Sequence, residues 1–234
     1  MNLTDVLQKN QISFAPVVPF HWQKDPYLVL DFTDGNQQLS QRNLMNTADF
    51  SEYVFGLIQK KGAIGGVGGY NEHRILYRRS PHFQQLEEPR EIHLGIDIWA
   101  EPGTAVMVPL AGKIHSLKDN AHFGDYGPTI ILEHELEGIT FHTLYGHLSR
   151  SSLLAKAAGQ AVEAGEPLAR FGPYPENGDW PPHLHFQIIQ DMQGWAGDYP
   201  GVCTLSQREA YLANCPDPNV ILGIPGLSIQ PATA

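Results

Sequence analysis

Ile92, Leu94, Ile96 and Ile98 alternate with His93, Gly95 and Asp97, and Leu184 and Phe186 alternate with His183 and His185. A period of two is the pattern of a strand with unlike faces, so each segment predicts a strand that is apolar on one side and polar on the other. The polar side carries imidazole and carboxylate groups. Zinc, a borderline cation, accepts both, and a catalytic zinc takes three protein ligands and leaves one position to water. His93, Asp97 and one histidine of the 183/185 pair make three, and the pattern alone leaves open which of the two binds. A fully extended strand would hold the Cα atoms of His93 and Asp97 about 13 Å apart, too far to share one ion. The backbone must therefore bend between them, and Gly95 permits it.

From residue 70 to about 200 the chain reads as short β-prone runs between glycine and proline turns, for example 105–108, 129–133 and 140–144. This predicts a mainly antiparallel β domain with few helices. Residues 1–69 read as a small mixed α/β N-terminal extension, with a strand at 27–32, a turn at 33–36 and a helix at 49–61 that buries Tyr53, Leu57 and Ile58. The glycines of 62–69 interrupt regular structure and read as a flexible connection or a tight backbone passage. No Lys-Ser/Thr pair follows them, which argues against a phosphate loop. Residues 201–234 read as a C-terminal extension with a short helix between Cys203 and Cys215. Ser206 and Glu209 resemble its capping box, and the sparse, proline-containing tail is expected to end in disorder. The class is mainly β, α+β overall.

A net charge of −10, from 25 acidic against 15 basic residues, argues against nucleic acid as a partner. The N-terminus lacks the basic and apolar regions of a secretory signal, and no segment has the length of a membrane span. As written, the chain is expected in the cytoplasm, or in the periplasm or outside the cell if a leader has been removed. The two cysteines are expected as free buried thiols in a reducing compartment, or as a disulfide after export.

The polar motifs, in order, are His93-Leu-Gly-Ile-Asp97, Pro102-Gly103-Thr104, Gly112-Lys-Ile114, Tyr126-Gly127, Tyr145-Gly-His147-Leu148, Gly159-Gln160, Gly165 and His183-Leu-His185-Phe186. They resemble the M23 family of zinc metallopeptidases, the lysostaphin- and LytM-like peptidoglycan endopeptidases, from about residue 90 to 188. The resemblance implies an antiparallel catalytic domain of the duplicated-hybrid-motif type and one Zn2+ per chain. It further implies that His93, Asp97 and His185 hold the metal, and that His147 and His183 stand beside the activated water. Peptide bonds, in peptidoglycan-type peptides, are then the expected substrate. Imidazole suits proton transfer because its unperturbed pKa of about 6.5 makes both forms accessible near neutrality. Which of His147 and His183 is the general base stays open at this level, as does the oligomeric state.

No His-Glu-x-x-His helix occurs, which fits a histidine-based mechanism. The other seven histidines read as surface or core residues. Three rival readings keep some of the pattern. A non-catalytic zinc-binding regulatory module would retain the ligands and act through a partner. A lipoyl- or biotinyl-type carrier would need a lysine at a hairpin tip, which is missing. A histidine phosphocarrier would have no use for Asp97. The segment 171–182, rich in proline and aromatic residues, departs from the small glycine-rich approach of many M23 sequences and predicts a bulkier cleft wall. There Tyr174 and Trp180 read equally as substrate contacts or as packing.

Overall fold

A computed structural model describes residues 2–80, 83 and 88–227. The expected disorder of the tail falls on 228–234, outside the described residues. Among the described residues the strands are β1 (Tyr27–Leu30), β2 (Gly65–Gly68), β3 (Arg90–His93), β4 (Ile96–Trp99), β5 (Ala105–Met107), β6 (Gly112–Asn120), β7 (Gly127–Leu136), β8 (Ile139–Gly146), β9 (Ala161–Val162), β10 (Pro167–Arg170), β11 (His183–Ile189) and β12 (Val202–Thr204). Eight of them form one sheet in the order β1-β2-β4-β11-β8-β7-β6-β9. Only the β1–β2 pair is parallel, so the expected antiparallel, mainly β architecture is what the chain builds. β5 pairs with β10, and β3 with β12.

The site lies at the centre of the large sheet. β11 is buried along its whole length, consistent with a strand covered on both faces. Its register sets His183 opposite Trp99 and His185 opposite Asp97 on one side, and His185 opposite Gly146 on the other. The apolar partners Leu184, Phe186 and Ile188 enter the main core with Ile96, Ile98, Leu144 and Ile130.

The glycines of 65–68 are a strand, the tight-passage alternative. A Cβ at Gly65 would stand 2.7 Å from the Trp99 carbonyl oxygen, and one at Gly66 2.6 Å from Leu30. The sheet therefore runs through the 69/70 boundary, because β2 pairs with β4. The C-terminal residues join it too: β12 pairs with β3, and Val220, Ile221 and Leu222 share the main core with Leu3 and Leu7 of the first helix, α1 (Leu3–Lys9).

A second core lies over the site. After α2 (Gln37–Ser40), helix α3 (Thr47–Lys60) starts at Asn46, whose side chain accepts from the Ala48 and Asp49 amides. Its buried face carries Phe50, Tyr53, Val54 and Ile58. Phe50 meets Trp99 at 6.0 Å and Trp180 at 6.5 Å between ring centroids, both in edge-on geometry. Phe50→Ala is expected to cost about 3–5 kcal/mol, the usual range for a fully buried phenylalanine. Denaturant unfolding measures it, as a lower midpoint at unchanged slope.

In the C-terminal part, α4 (Arg208–Asn214) is followed by α5 (Asn219–Leu222). The expected capping box is not formed: the helix begins after Gln207, because the Ser206 hydroxyl is engaged by Glu88 and Thr204. Cys203 and Cys215 are free and buried, and burial pushes both thiols up to about 12. No described helix is long and apolar enough to cross a membrane.

Candidate metal centre

Leu94 and Gly95 separate β3 from β4, and this break brings His93 back towards Asp97. Gly95 is needed there for space as well as for bending: a Cβ on it would come within 2.6 Å of the His185 ring and 2.8 Å of the Phe186 carbonyl oxygen. Three acceptor atoms converge as a result. His93 Nε2 lies 3.0 Å from His185 Nδ1, and Asp97 Oδ1 lies 3.2 Å from each of them.

The other ring nitrogens fix what these atoms are. His93 Nδ1 donates to the Gly69 carbonyl at 2.8 Å, so its Nε2 keeps a lone pair. His185 Nε2 donates to Gln187 Oε1 at 2.8 Å, so its Nδ1 keeps one. The Gln187 amide is itself oriented, its nitrogen donating to the Pro200 carbonyl and to Cys215 Sγ. Burial lowers His93 to about 3, with Arg74 adding to the effect. Burial alone would raise Asp97, but His93 and Arg74 hold its carboxyl well below the usual range. Three buried lone pairs this close are stable only around a cation, a proton or a metal ion. Ligands about 2.0–2.1 Å from a tetrahedral zinc stand about 3.3 Å from one another, which the observed triangle fits. The order His93, Asp97, His185 is also the one the resemblance implies, and these are the only described side chains that group in this way.

His147 and His183 flank the triangle. His183 Nδ1 donates to the Pro181 carbonyl at 2.7 Å, its ring stacks on Trp99 at 4.0 Å, and its Nε2 stands 4.0 Å from Asp97 Oδ1. His147 Nδ1 donates to the Asn177 carbonyl at 2.8 Å, and its ring centroid is 4.1 Å from that of His183. His147 adopts φ 62°, a left-handed conformation that costs a non-glycine residue of order 1 kcal/mol or more and persists where surroundings enforce it. Here its amide donates to the Tyr126 carbonyl at 2.8 Å, and the Gly172 amide donates to its own carbonyl at 2.9 Å. Burial lowers His183 to about 4 and His147 well below its ordinary value. Both are neutral imidazoles with a lone pair at Nε2.

Four of the five, Asp97, His147, His183 and His185, line a cavity of about 160 Å³. Trp180 is buried against Phe50 and under the Arg79 guanidinium, and it lines the cavity as well, so packing and exposure to a ligand coincide there. Tyr174 is 43% exposed and outside the lining. Trp195, Asp198 and Tyr199 also line the cavity.

The sequence did not point to Arg74, Gly69, Asn177 or Gln187. For Gln187 the signal was present, since 183, 185 and 187 share one face of a strand. Arg74 reaches the site from outside any strand: its Nη1 donates to Asp97 Oδ2 at 2.5 Å.

Residues 91–196 match the model of peptidase family M23. No curated protein matches the chain. Among solved structures, a Pseudomonas aeruginosa protein assigned to peptidase M23 is 23% identical, over 56% of this chain and 44% of that one, with a TM-score of 0.38. A zinc-containing peptidase from Vibrio cholerae is 25% identical over 42% of this chain and 27% of that one, at 0.33. The catalytic domain of the antimicrobial peptidase lysostaphin from Staphylococcus simulans is 25% identical over 51% and 80%, at 0.37. The chain spans less than half the length of the first two.

Proposed function

We propose that this chain, whose residues 91–196 match the model of peptidase family M23, is a zinc-dependent metalloendopeptidase acting on peptide bonds, in peptidoglycan-type peptides. His93, Asp97 and His185 hold one zinc per chain, and His147 and His183 carry protons beside it. The observation that supports this most is the triangle of three lone pairs, 3.0–3.2 Å on each edge, whose ring tautomers are fixed by Gly69 and Gln187.

Zinc in such a site supplies Lewis acidity, which lowers the pKa of water to about 7 and polarises a carbonyl. The protein's own groups do the rest. With Nδ1–H of both flanking histidines tied to backbone carbonyls, each Nε2 is ready to accept a proton from the attacking water. Once protonated, the same nitrogen donates to the developing carbonyl oxyanion or to the departing amine. The Trp99 face beneath His183 and the Asn177 carbonyl behind His147 hold the rings in place through that exchange. The aromatic walls from Trp180 and Tyr199 limit water around the reacting groups.

The test is metal analysis of the purified protein together with a screen of muropeptides and ordinary L-peptides. Stoichiometric zinc and cleavage of muropeptides, abolished by a chelator and restored by zinc, are expected. Absence of zinc would sink the reading. Zinc without turnover of any peptide would leave the non-catalytic zinc-binding module.

A further inference from the structure

Arg74 lies outside the segment that matches the family model, yet its guanidinium is fully buried against the metal-binding carboxylate. Its side-chain bonds run to Asp97 and to groups beside it. Nη1 donates to Asp97 Oδ2 at 2.5 Å and to the Tyr77 hydroxyl at 3.3 Å, Nε donates to Glu72 Oε2 at 2.6 Å, and Nη2 donates to the Gly69 carbonyl at 3.1 Å. That Gly69 carbonyl is the one that fixes the His93 tautomer. The guanidinium carbon sits 5.3 Å over the Phe32 ring, and a Cβ on Gly68 would stand 2.6 Å from Nη2. Backbone bonds carry the same coupling: the Arg74 amide donates to the Glu91 carbonyl, and the His93 amide to the Glu72 carbonyl. The arginine and the first histidine therefore ride on one small framework.

A carboxylate can bind a cation through one oxygen or two, and the choice changes the coordination number. With Oδ2 occupied by a short charge-assisted bond, only Oδ1 is offered to the histidine triangle. The geometry points to Arg74 as a positioning residue that holds Asp97 as a one-oxygen ligand and so selects a four-coordinate ion such as zinc over larger ions that favour more oxygen ligands. Its side chain also withdraws charge from the carboxylate, which leaves the bound ion more acidic. Lysine cannot substitute, because a point charge lacks the fork that reaches Asp97, Glu72 and Gly69 together.

This inference rests on the metal reading proposed above, and the test separates the two. Zinc affinity is measured by chelator competition, and the visible spectrum of the Co2+-substituted protein reports coordination number without any turnover. Wild type is expected to bind one Co2+ with the intense absorption of a four-coordinate site. Arg74→Lys is expected to lose about 10- to 100-fold in zinc affinity, the usual effect of removing a group that orients a ligand. Its Co2+ spectrum should weaken towards that of a five-coordinate ion, a change that general destabilisation would not produce. If Arg74→Lys does not fold, Gly68→Ala decides: it keeps the charge but crowds Nη2, and the same weakening is expected. Wild type that binds no metal overturns the metal reading itself. Wild type that binds, with a folded variant of unchanged affinity and spectrum, overturns the role of Arg74 alone.

Discussion

Alanine at His147 or at His183 is expected to lower kcat for peptide hydrolysis by about 10²- to 10⁴-fold, the range for a lost general acid or base, while zinc remains bound at one per chain. A loss of that size is about 3–5 kcal/mol of barrier. Neither ring belongs to the triangle formed by His93, Asp97 and His185, and His183 Nε2 stands 4.0 Å from Asp97 Oδ1. Both present Nε2 as an acceptor because Nδ1 is committed to the Asn177 or Pro181 carbonyl. With ring centroids 4.1 Å apart they serve the same proton path, so the double variant should fall little below the worse single one. Steady-state kinetics beside metal analysis checks this. A variant that keeps kcat within a few fold has no part in proton transfer, and one that loses its zinc is a ligand instead.

The readable part of the site is the part carried by strands. Alternation put His93 and Asp97 on one face and His183 and His185 on another, and the impossible 13 Å span of a straight strand demanded the bend that Gly95 provides. The same alternation, carried one step further, reaches Gln187, whose Oε1 fixes the His185 tautomer. What could not be read was brought in by tertiary structure. β2 is Gly-Gly-Val-Gly, and glycine has neither β propensity nor a side chain to alternate, so its strand was indistinguishable from a loop. The glycines are there because Leu30, Trp99 and Arg74 press on that backbone. Arg74 is 23 residues from Asp97 and sits just before a 3₁₀ turn, with no period to announce it.

The N-terminal residues gain a purpose from this. Read from composition, 1–69 is a separate appendage. In the fold, α3 presses Phe50 onto Trp99 and Trp180, the first of which stacks on His183. Gly69, at the end of that region, supplies the carbonyl shared by His93 and Arg74. Residues outside the family match thus touch the groups around three of the five site residues: Gly69 bonds His93, Arg74 bonds Asp97, and Phe50 packs on the Trp99 ring that stacks on His183.

Zinc is expected to raise the melting temperature of the metal-free protein by roughly 8–16 °C. At free zinc of 1,000 times Kd, binding to the folded state alone adds about 4 kcal/mol, and each kcal/mol moves a chain of this size by about 2–4 °C. Part of that affinity comes from relief of a conflict: the metal-free triangle must hold three buried acceptors together or recruit a proton, and the ion removes the need, a contribution already contained in Kd. His185→Ala and Asp97→Ala should both abolish the shift. Their metal-free forms should differ, however. His185→Ala removes one lone pair from the conflict and leaves Arg74 paired with Asp97 and Glu72. Asp97→Ala strips the buried guanidinium of the partner on Nη1 and should cost about 3 kcal/mol more, near the lower end for breaking a buried pair because Glu72 still holds Nε. Calorimetry of both variants with and without zinc reads the two effects separately. A zinc-induced shift that survives in His185→Ala would mean that the ion binds somewhere other than this triangle, and equal metal-free stabilities would mean that Arg74 does not depend on Asp97.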